Sequence, residues 1–309
     1  MFELLGSFLY FVVTVFPGIF HSRQWQVIRT SMRRPLRLRS LVHLRSRSAT
    51  KMAGLQVFSS SFFFVSINIY TDYSYSAVVI TGVGPKSLGE AMAVAIAAQS
   101  PAKLFLASRT KEKLQSVASK ISAESKSAIE LVSLDLASQQ SIEQAAGQIA
   151  NSVEAIDVLI NNAGIMILTR ENTADGLELQ FGTNHIGHFL FTQLLMKQLV
   201  FAGSKSDRSA RVINVTSEAH RLSPIRFHDY FIEGKDVPDE EQPLPQMTAV
   251  YGKIKEYNGW IAYGQSKTAN SLFSLALNQK LASKGVISYA VHPGCKLFFF
   301  FSDSIVLTI

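Results

Sequence analysis

Residues 77–90 read Ala77-Val78-Val79-Ile80-Thr81-Gly82-Val83-Gly84-Pro85-Lys86-Ser87-Leu88-Gly89-Glu90, and this stretch sets the architecture. An unbroken β-favouring run of strand length ends at Thr81, and glycines and a proline follow at once. An Ala-rich run with helical texture then continues to Gln99. Strand, glycine-rich turn and helix make the head of a βαβ unit. Glycines in such a turn let backbone N–H groups approach a pyrophosphate at the helix N-terminus. The turn is one residue longer than the usual fingerprint, and Ser87 stands where its middle glycine is expected. An ordinary strand–helix turn can also be glycine-rich, but the place of this one at the head of a βαβ series favours cofactor binding. Gly82, Ser87, Leu88 and Gly89 are then the contacts.

Outward from this unit the texture repeats. Strands are expected at Lys103–Ala107, Ile129–Leu134, Ile156–Ile160, Val212–Thr216 and Val286–Val291. Helices are expected at Lys111–Ile121, Ser141–Ala150, Gly176–Leu199 and Tyr263–Ala282. Alternation of this kind predicts an α/β fold with a parallel sheet. Residues 218–260 are polar, contain prolines and lack periodicity, the mark of a lid or binding segment. One domain, 76–294, is expected, without repeats.

The second strand ends in Ala107-Ser108-Arg109-Thr110-Lys111, with no acid from Lys103 to Lys111. Sites selective for NAD place a carboxylate here for the ribose 2′-hydroxyl. Arg109 offers instead a guanidinium suited to the 2′-phosphate of NADP. Solvated arginines at strand ends are common as well.

Five further motifs fall at strand ends and helix starts. They are Asn161-Asn162-Ala163-Gly164, Asn184-His185-Ile186-Gly187-His188, Asn214-Val215-Thr216-Ser217, Tyr263-Gly264-Gln265-Ser266-Lys267 and His292-Pro293-Gly294. In this order they resemble the short-chain dehydrogenase/reductase family, and in wording its retinol-dehydrogenase-like and WW-domain-oxidoreductase-like, fungal-type members. The resemblance covers about residues 77–294 and implies a Rossmann-type doubly wound parallel sheet. It implies an NADP(H)-dependent oxidoreductase acting on an alcohol/carbonyl pair of a small hydrophobic substrate, such as a retinoid, steroid or lipid-derived carbonyl. The implied catalytic set is Asn184, Ser217, Tyr263 and Lys267. Asp135, Asn161, Asn162, Ala163, Gly164, Pro293 and Gly294 join the cofactor contacts, as do Tyr263 and Lys267. The resemblance also gives Lys267 a hold on the nicotinamide ribose and Asn184 a water linking Lys267 to solvent. A homodimer through the helices at 176–199 and 263–282 is a family expectation.

The residue chemistry agrees. Tyr263 and Lys267 are i and i+4 and share a helix face. A phenol titrates near 10 in water, and a neighbouring ammonium favours the phenolate. Tyr263 can then exchange a proton with the substrate oxygen, which Ser217 steadies by hydrogen bonding. Tyr251 and Lys255 share the Tyr-x-x-x-Lys spacing but sit in the aperiodic loop, with Gly252 between them, and are expected to be non-catalytic.

The net charge of +7 comes from 30 Lys/Arg and 23 Asp/Glu. Nine of the basic residues and one acid lie in residues 1–51, leaving 21 basic against 22 acidic residues, a balance of −1, for the rest. The basicity thus belongs to an N-terminal arm and does not mark the body as a nucleic-acid binder. Residues 4–20 are apolar and precede the basic run, the reverse of a secretory signal. They are a candidate anchor that would leave the domain facing the cytosol; otherwise the protein is expected to be cytoplasmic. The single cysteine, Cys295, excludes an internal disulfide. His185 and His188 have a ligand-like spacing but read as packing residues, so no metal site is expected.

After Gly294 the family pattern breaks. An expected seventh strand is not recognisable in 295–309, which contains Phe298-Phe299-Phe300-Phe301. This end and the Ser/Phe-rich 53–70 stretch, within the extension 1–75, read like translated non-coding sequence. A truncated, catalytically impaired chain serving only as a binding scaffold is the alternative function, against which the intact Asn184, Ser217, Tyr263 and Lys267 weigh.

Overall fold

The computed structural model describes residues 77–122, 125–205, 209–243, 245 and 256–293, all within one compact unit, Phe62–Ile309. Gly294, Tyr251 and Lys255, the apolar 4–20 stretch, the 53–70 stretch and 295–309 lie outside the described residues.

Six strands are present among the described residues: β1 (Ala77–Thr81), β2 (Lys103–Ser108), β3 (Ala128–Ser133), β4 (Val158–Asn161), β5 (Ala210–Val215) and β6 (Val286–Val291). All pair in parallel, in the order β3-β2-β1-β4-β5-β6. The helices are α1 (Leu88–Ala97), α2 (Lys111–Ser122), α3 (Gln139–Ser152), α4 (Leu179–Phe181), α5 (Gly187–Leu194), α6 (Met196–Lys205) and α7 (Gly259–Leu281). This is the doubly wound Rossmann order. Its switch point lies between β1 and β4, where ligands bind beyond the carboxyl ends of the strands.

A parallel sheet must be covered on both faces, and alternate side chains of the strands do this. Val78, Ile80, Leu104 and Leu106 pack with Ala93, Ile96, Leu114, Val117 and Ile121 of α1 and α2. Val79, Phe105, Leu159 and Val212 face Ile142 and Ile149 of α3, Phe191, Leu199 and, from α7, Phe273 and Leu277. Each buried side chain of this size contributes roughly 1.5–3 kcal/mol, so the sheet is a firm base for what its carboxyl ends carry.

Two helices differ most from the sequence expectation. The helix expected from Gly176 starts at Leu179, because Gly176 takes φ +81° and the Glu178 carboxylate caps the amides of Gln180 and Phe181. It then widens into a π-helical turn at Gly182–Ile186, breaks at Leu195 and continues to Lys205. The helix expected from Tyr263 begins a turn earlier, because the Asn258 side chain accepts from the amides of Trp260 and Ile261. Tyr263 therefore sits in the second turn, on rigid backbone. None of the described helices is long and apolar enough to cross a membrane.

Candidate active site

The glycine turn is packed against its surroundings by close backbone contacts. Gly82 has φ +73°, and a Cβ there would fall 2.6 Å from the Cα of Ala163. A Cβ on Gly89 would fall 2.3 Å from the Gly82 carbonyl oxygen. Only glycine at both positions lets the start of α1 lie directly over the end of β1. The amides of Gly82 and Val83 also donate to the Ala107 carbonyl at 2.8 and 3.3 Å, which brings the turn beside the end of β2 and exposed Arg109.

Ser87 closes this turn. Its hydroxyl donates to the Gly84 carbonyl at 2.7 Å and accepts from the amides of Gly84 and Glu90. The extra residue of the turn is accommodated by Lys86, which adopts φ +62° and donates its amide to Glu90. Ser87 thus works as a helix cap in place of the missing glycine. The first-turn amides of Leu88 and Gly89 have no intrahelical acceptor in such geometry and face the helix end, where an anion is favoured.

Thr81, the last residue of β1, gathers the backbone that follows β4. Its hydroxyl accepts from the amides of Asn162 and Ala163, both at 3.0 Å, and lies 2.9 Å from His188 Nε2. His188 Nδ1 is 3.0 Å from the Asn184 carbonyl. A carbonyl only accepts, so Nδ1 carries the proton and Nε2 receives the Thr81 hydroxyl. Burial lowers the His188 pKa to about 3, which keeps the ring neutral and this tautomer fixed. Asn162 donates its side-chain amide to the Thr81 and Gly82 carbonyls.

Asn184 sits in the π turn, and its side chain clamps Ile165. Oδ1 accepts from the Ile165 amide at 2.8 Å, and Nδ2 donates to the Ile165 carbonyl at 2.9 Å and to Ser266 Oγ at 3.0 Å. The Ser266 hydroxyl in turn donates to the Tyr263 carbonyl. Asn184 is therefore linked to the backbone of α7 at the tyrosine itself.

Lys267 is buried at 1% exposure, with Nζ donating to the Val215 carbonyl at 3.1 Å and lying 5.4 Å from the Tyr263 ring centroid. A Cβ on Gly164 would fall 3.3 Å from Nζ and 3.4 Å from Asn184 Oδ1, so the glycine keeps open a space that borders both groups. Burial pulls the lysine pKa down to about 8. Tyr263 is likewise buried. Ser217 follows β5 directly, caps the short 3-10 turn Glu218–Leu222 and accepts from the Ala219 amide at 3.2 Å. Its neighbour Thr216 donates to the Lys267 carbonyl at 2.8 Å. The end of β5 and the Tyr/Lys face of α7 are thereby fixed to one another.

Other residues named from the sequence take different places. Asn161 is in the core below the site, its amide donating to Thr192 and Asn214, which continues to Ser274 and Ser288. Asp135 follows β3 and holds its own turn by accepting from the Ala137 amide. Pro293 follows β6, beside His292, whose pKa burial lowers. Ala163 packs directly on Gly82, and Gly164 lies beside Lys267 and Asn184.

Sequence reasoning passed over a buried cluster behind the site. Glu178, fully buried, accepts from Tyr257 Oη at 2.7 Å, and Gln180 donates to Tyr257 Oη and to the carbonyls of Ile167 and Gly259. Burial raises the Glu178 pKa. The cluster ties the start of α7 to the loop after β4, where a Cβ on Gly259 would fall 2.2 Å from the Ile167 carbonyl oxygen. No spacing rule could have joined residues some 79 positions apart.

Comparison with known proteins gives this arrangement its family. The short chain dehydrogenase family model matches residues 76–231, and the oxidoreductase FscI of Fusarium equiseti is 36% identical over 73% of this chain and 89% of its own length. The chain belongs to the short-chain dehydrogenase family, whose members are NAD(P)-dependent oxidoreductases. It is also similar to mouse and human retinol dehydrogenase 12, each 38% identical, over 71% and 70% of this chain. The chain spans about three-fifths of the length of these retinol dehydrogenases, 61% and 60%. Among solved structures, an uncharacterised protein of Mycobacterium paratuberculosis is 32% identical, with a TM-score of 0.55 over 72% of this chain and 69% of that one. The RhlG–NADP complex of Pseudomonas aeruginosa, 20% identical with a TM-score of 0.52 over 72% and 74% of the two chains, shares the fold.

Proposed function

We propose that this chain is an NADP(H)-dependent oxidoreductase that interconverts an alcohol and a carbonyl on a small hydrophobic substrate, with Tyr263 as acid/base. The observation that carries this reading is the buried Lys267 ammonium, 5.4 Å from the Tyr263 ring and held against the carboxyl end of β5 beside Ser217. A cation so placed favours the phenolate over the phenol, which suits Tyr263 to give a proton to a carbonyl oxygen and to take one from an alcohol. Ser217 donates its hydroxyl proton to the same oxygen as charge develops there. Asn184 holds the Ile165 backbone and, through Ser266, the tyrosine carbonyl, so the pieces do not drift.

The cofactor cradle fits the same reading. Leu88 and Gly89 offer backbone amides at the α1 N-terminus to a pyrophosphate, with Ser87 holding the turn in shape and Gly82, its own amide held by the Ala107 carbonyl, giving the turn its close approach. Arg109 at the end of β2 meets the 2′-phosphate, Asp135 borders the adenine end, and Asn162, Ala163 and Gly164 line the floor towards Lys267, which holds the nicotinamide ribose. Asn161 supports that floor from below, and Pro293 after β6 is assigned to the nicotinamide end. The bound cofactor supplies the hydride.

The hydrophobic substrate class is taken from the retinol dehydrogenases among the relatives. As a dimer face we propose α5 and α7, where Phe189 and Leu194 are 43% and 41% exposed and Phe189 packs on Phe273. The protein is placed in the cytoplasm, or, with residues 4–20 as a membrane contact, on a membrane with the catalytic domain 76–294 facing the cytosol.

The test is a titration of the full chain with NADPH and NADH, read by thermal shift, followed by NADPH consumption with all-trans-retinal and decanal as probes. Tighter NADPH binding and consumption with a probe are expected. A chain that binds neither cofactor contradicts the proposal.

A further inference from the structure

We propose that His220 is a positioning residue that fixes Ser217 relative to Tyr263 and Lys267. The inference rests on the reading of Ser217 as a catalytic residue. His220 lies in the 3-10 turn Glu218–Leu222, which begins directly after Ser217. Residues three apart in such a turn nearly eclipse one another, so the His220 side chain comes back over Ser217. Both of its donors reach one atom. The backbone amide donates to the Ser217 carbonyl at 3.0 Å, and ring Nδ1 donates to the same oxygen at 2.7 Å. Because a carbonyl only accepts, Nδ1 carries a proton, and both the neutral ring in this tautomer and the imidazolium supply it.

The other end of the residue is tied to α7. The Thr268 hydroxyl lies 2.7 Å from the His220 carbonyl and 2.7 Å from the Ser223 carbonyl, so its one proton is shared between them. Thr268 is the neighbour of Lys267. One turn earlier, Gly264 is the neighbour of Tyr263, and a Cβ there would fall 2.7 Å from the Ala219 carbonyl oxygen. The 3-10 turn is therefore seated on α7 beside both catalytic residues of that helix. His220 adds a link between the two sides at Ser217 itself, with its ring on the Ser217 carbonyl and its own carbonyl on Thr268. With its carbonyl held by two donors and its Oγ accepting from Ala219, Ser217 keeps its hydroxyl proton to give to substrate. His220 touches no reacting atom in this account; it acts through Ser217.

The variants are His220→Ala, His220→Leu and His220→Asn in the full chain, assayed with NADPH and the carbonyl probe that the unmodified chain reduces. Misplacement of a catalytic group by about 1 Å can cost on the order of 100-fold. Ala and Leu are therefore expected to lower kcat about tenfold or more, with KM, NADPH affinity and melting temperature close to the unmodified chain. Asn carries a side-chain N–H that can reach the same carbonyl and is expected to restore kcat to within about threefold. The pH profile should keep its shape in all three. Unchanged kcat in the Ala variant, a loss confined to KM, an Asn variant as poor as Ala, or a limb of the pH profile that vanishes with the histidine would each overturn the inference. A second measurement needs no turnover. In the nitrogen-15 spectrum of the imidazoles under mildly alkaline conditions, His220 should appear as the Nδ1–H tautomer; the Nε2–H tautomer overturns the inference. A chain that reduces neither probe counts against the enzyme reading, while this spectrum still decides the His220 bond.

Discussion

Replacing Lys267 by Met should alter the pH dependence of stability in a way that only a buried ammonium explains. Lys267 is 1% exposed, and burial pulls its pKa to about 8 in the folded chain, against about 10.4 for an unfolded lysine. Between these values the unfolded chain binds more protons than the folded one, so stability rises with pH across that window. The shift corresponds to roughly 3 kcal/mol at about 1.4 kcal/mol per pH unit. Below the folded pKa the whole penalty is present; above the unfolded pKa it is gone. Lys267→Met keeps a side chain of similar length and removes the charge. The variant should be more stable than the unmodified chain at neutral pH by up to that amount, less the lost bond to the Val215 carbonyl, about 1–3 kcal/mol. The advantage should shrink steadily as pH rises from 8 to 10.4. Urea melts of both chains at a series of pH values measure it. A stability difference that stays flat across the window would refute the reasoning, because the lysine would then not be buried as a cation. The same residue should impose an alkaline limit on catalysis, since loss of its proton near pH 8 removes the charge that favours the Tyr263 phenolate.

Three other substitutions probe separate parts. Arg109→Ala should weaken NADPH binding by roughly 1–3 kcal/mol while leaving NADH nearly unchanged; equal losses in calorimetric titration would remove Arg109 from the 2′-phosphate site. Gly89→Ala places a Cβ 2.3 Å from the Gly82 carbonyl oxygen and should cost about 1–3 kcal/mol by overpacking, seen as a lower melting temperature and weaker NADPH binding. Tyr257→Phe removes a donor from the buried Glu178 carboxylate and should destabilise the fold by about 1–3 kcal/mol. That deficit should be smaller in acid, because Glu178, its pKa raised by burial, is then protonated and needs the donor less.

Much of this architecture was legible because hydrophobic runs of strand length leave few alternatives. β1 and β6 have the bounds read from the sequence, and the remaining strands shift by one or two residues. The i, i+4 spacing of Tyr263 and Lys267 is a property of any α-helix and survives the earlier start of α7. That start was missed because Asn258-Gly259 has the composition of a turn, whereas here Asn258 caps the helix and Gly259 is needed for contact with Ile167. The π turn around Asn184 and the break at Leu195 left no mark in periodicity, since both depend on partners distant in sequence. Asn161 reads as a site residue by its motif, yet its side chain is part of a buried chain of amides and hydroxyls that runs to Ser288. Ser87 departs from the usual glycine fingerprint, and the sequence does not show that its hydroxyl closes the turn.

The central claim is proton transfer by Tyr263, and the direct measurement compares single-turnover NADPH oxidation, with a carbonyl probe, in the unmodified chain and in Tyr263→Phe. The phenyl ring keeps the packing beside Lys267 and loses only the hydroxyl. Rate loss of about 100-fold or more is expected, as proton transfer by a positioned side chain contributes roughly 10²–10⁴, with NADPH affinity and melting temperature unchanged. Oxidation in Tyr263→Phe at the rate of the unmodified chain would contradict the account.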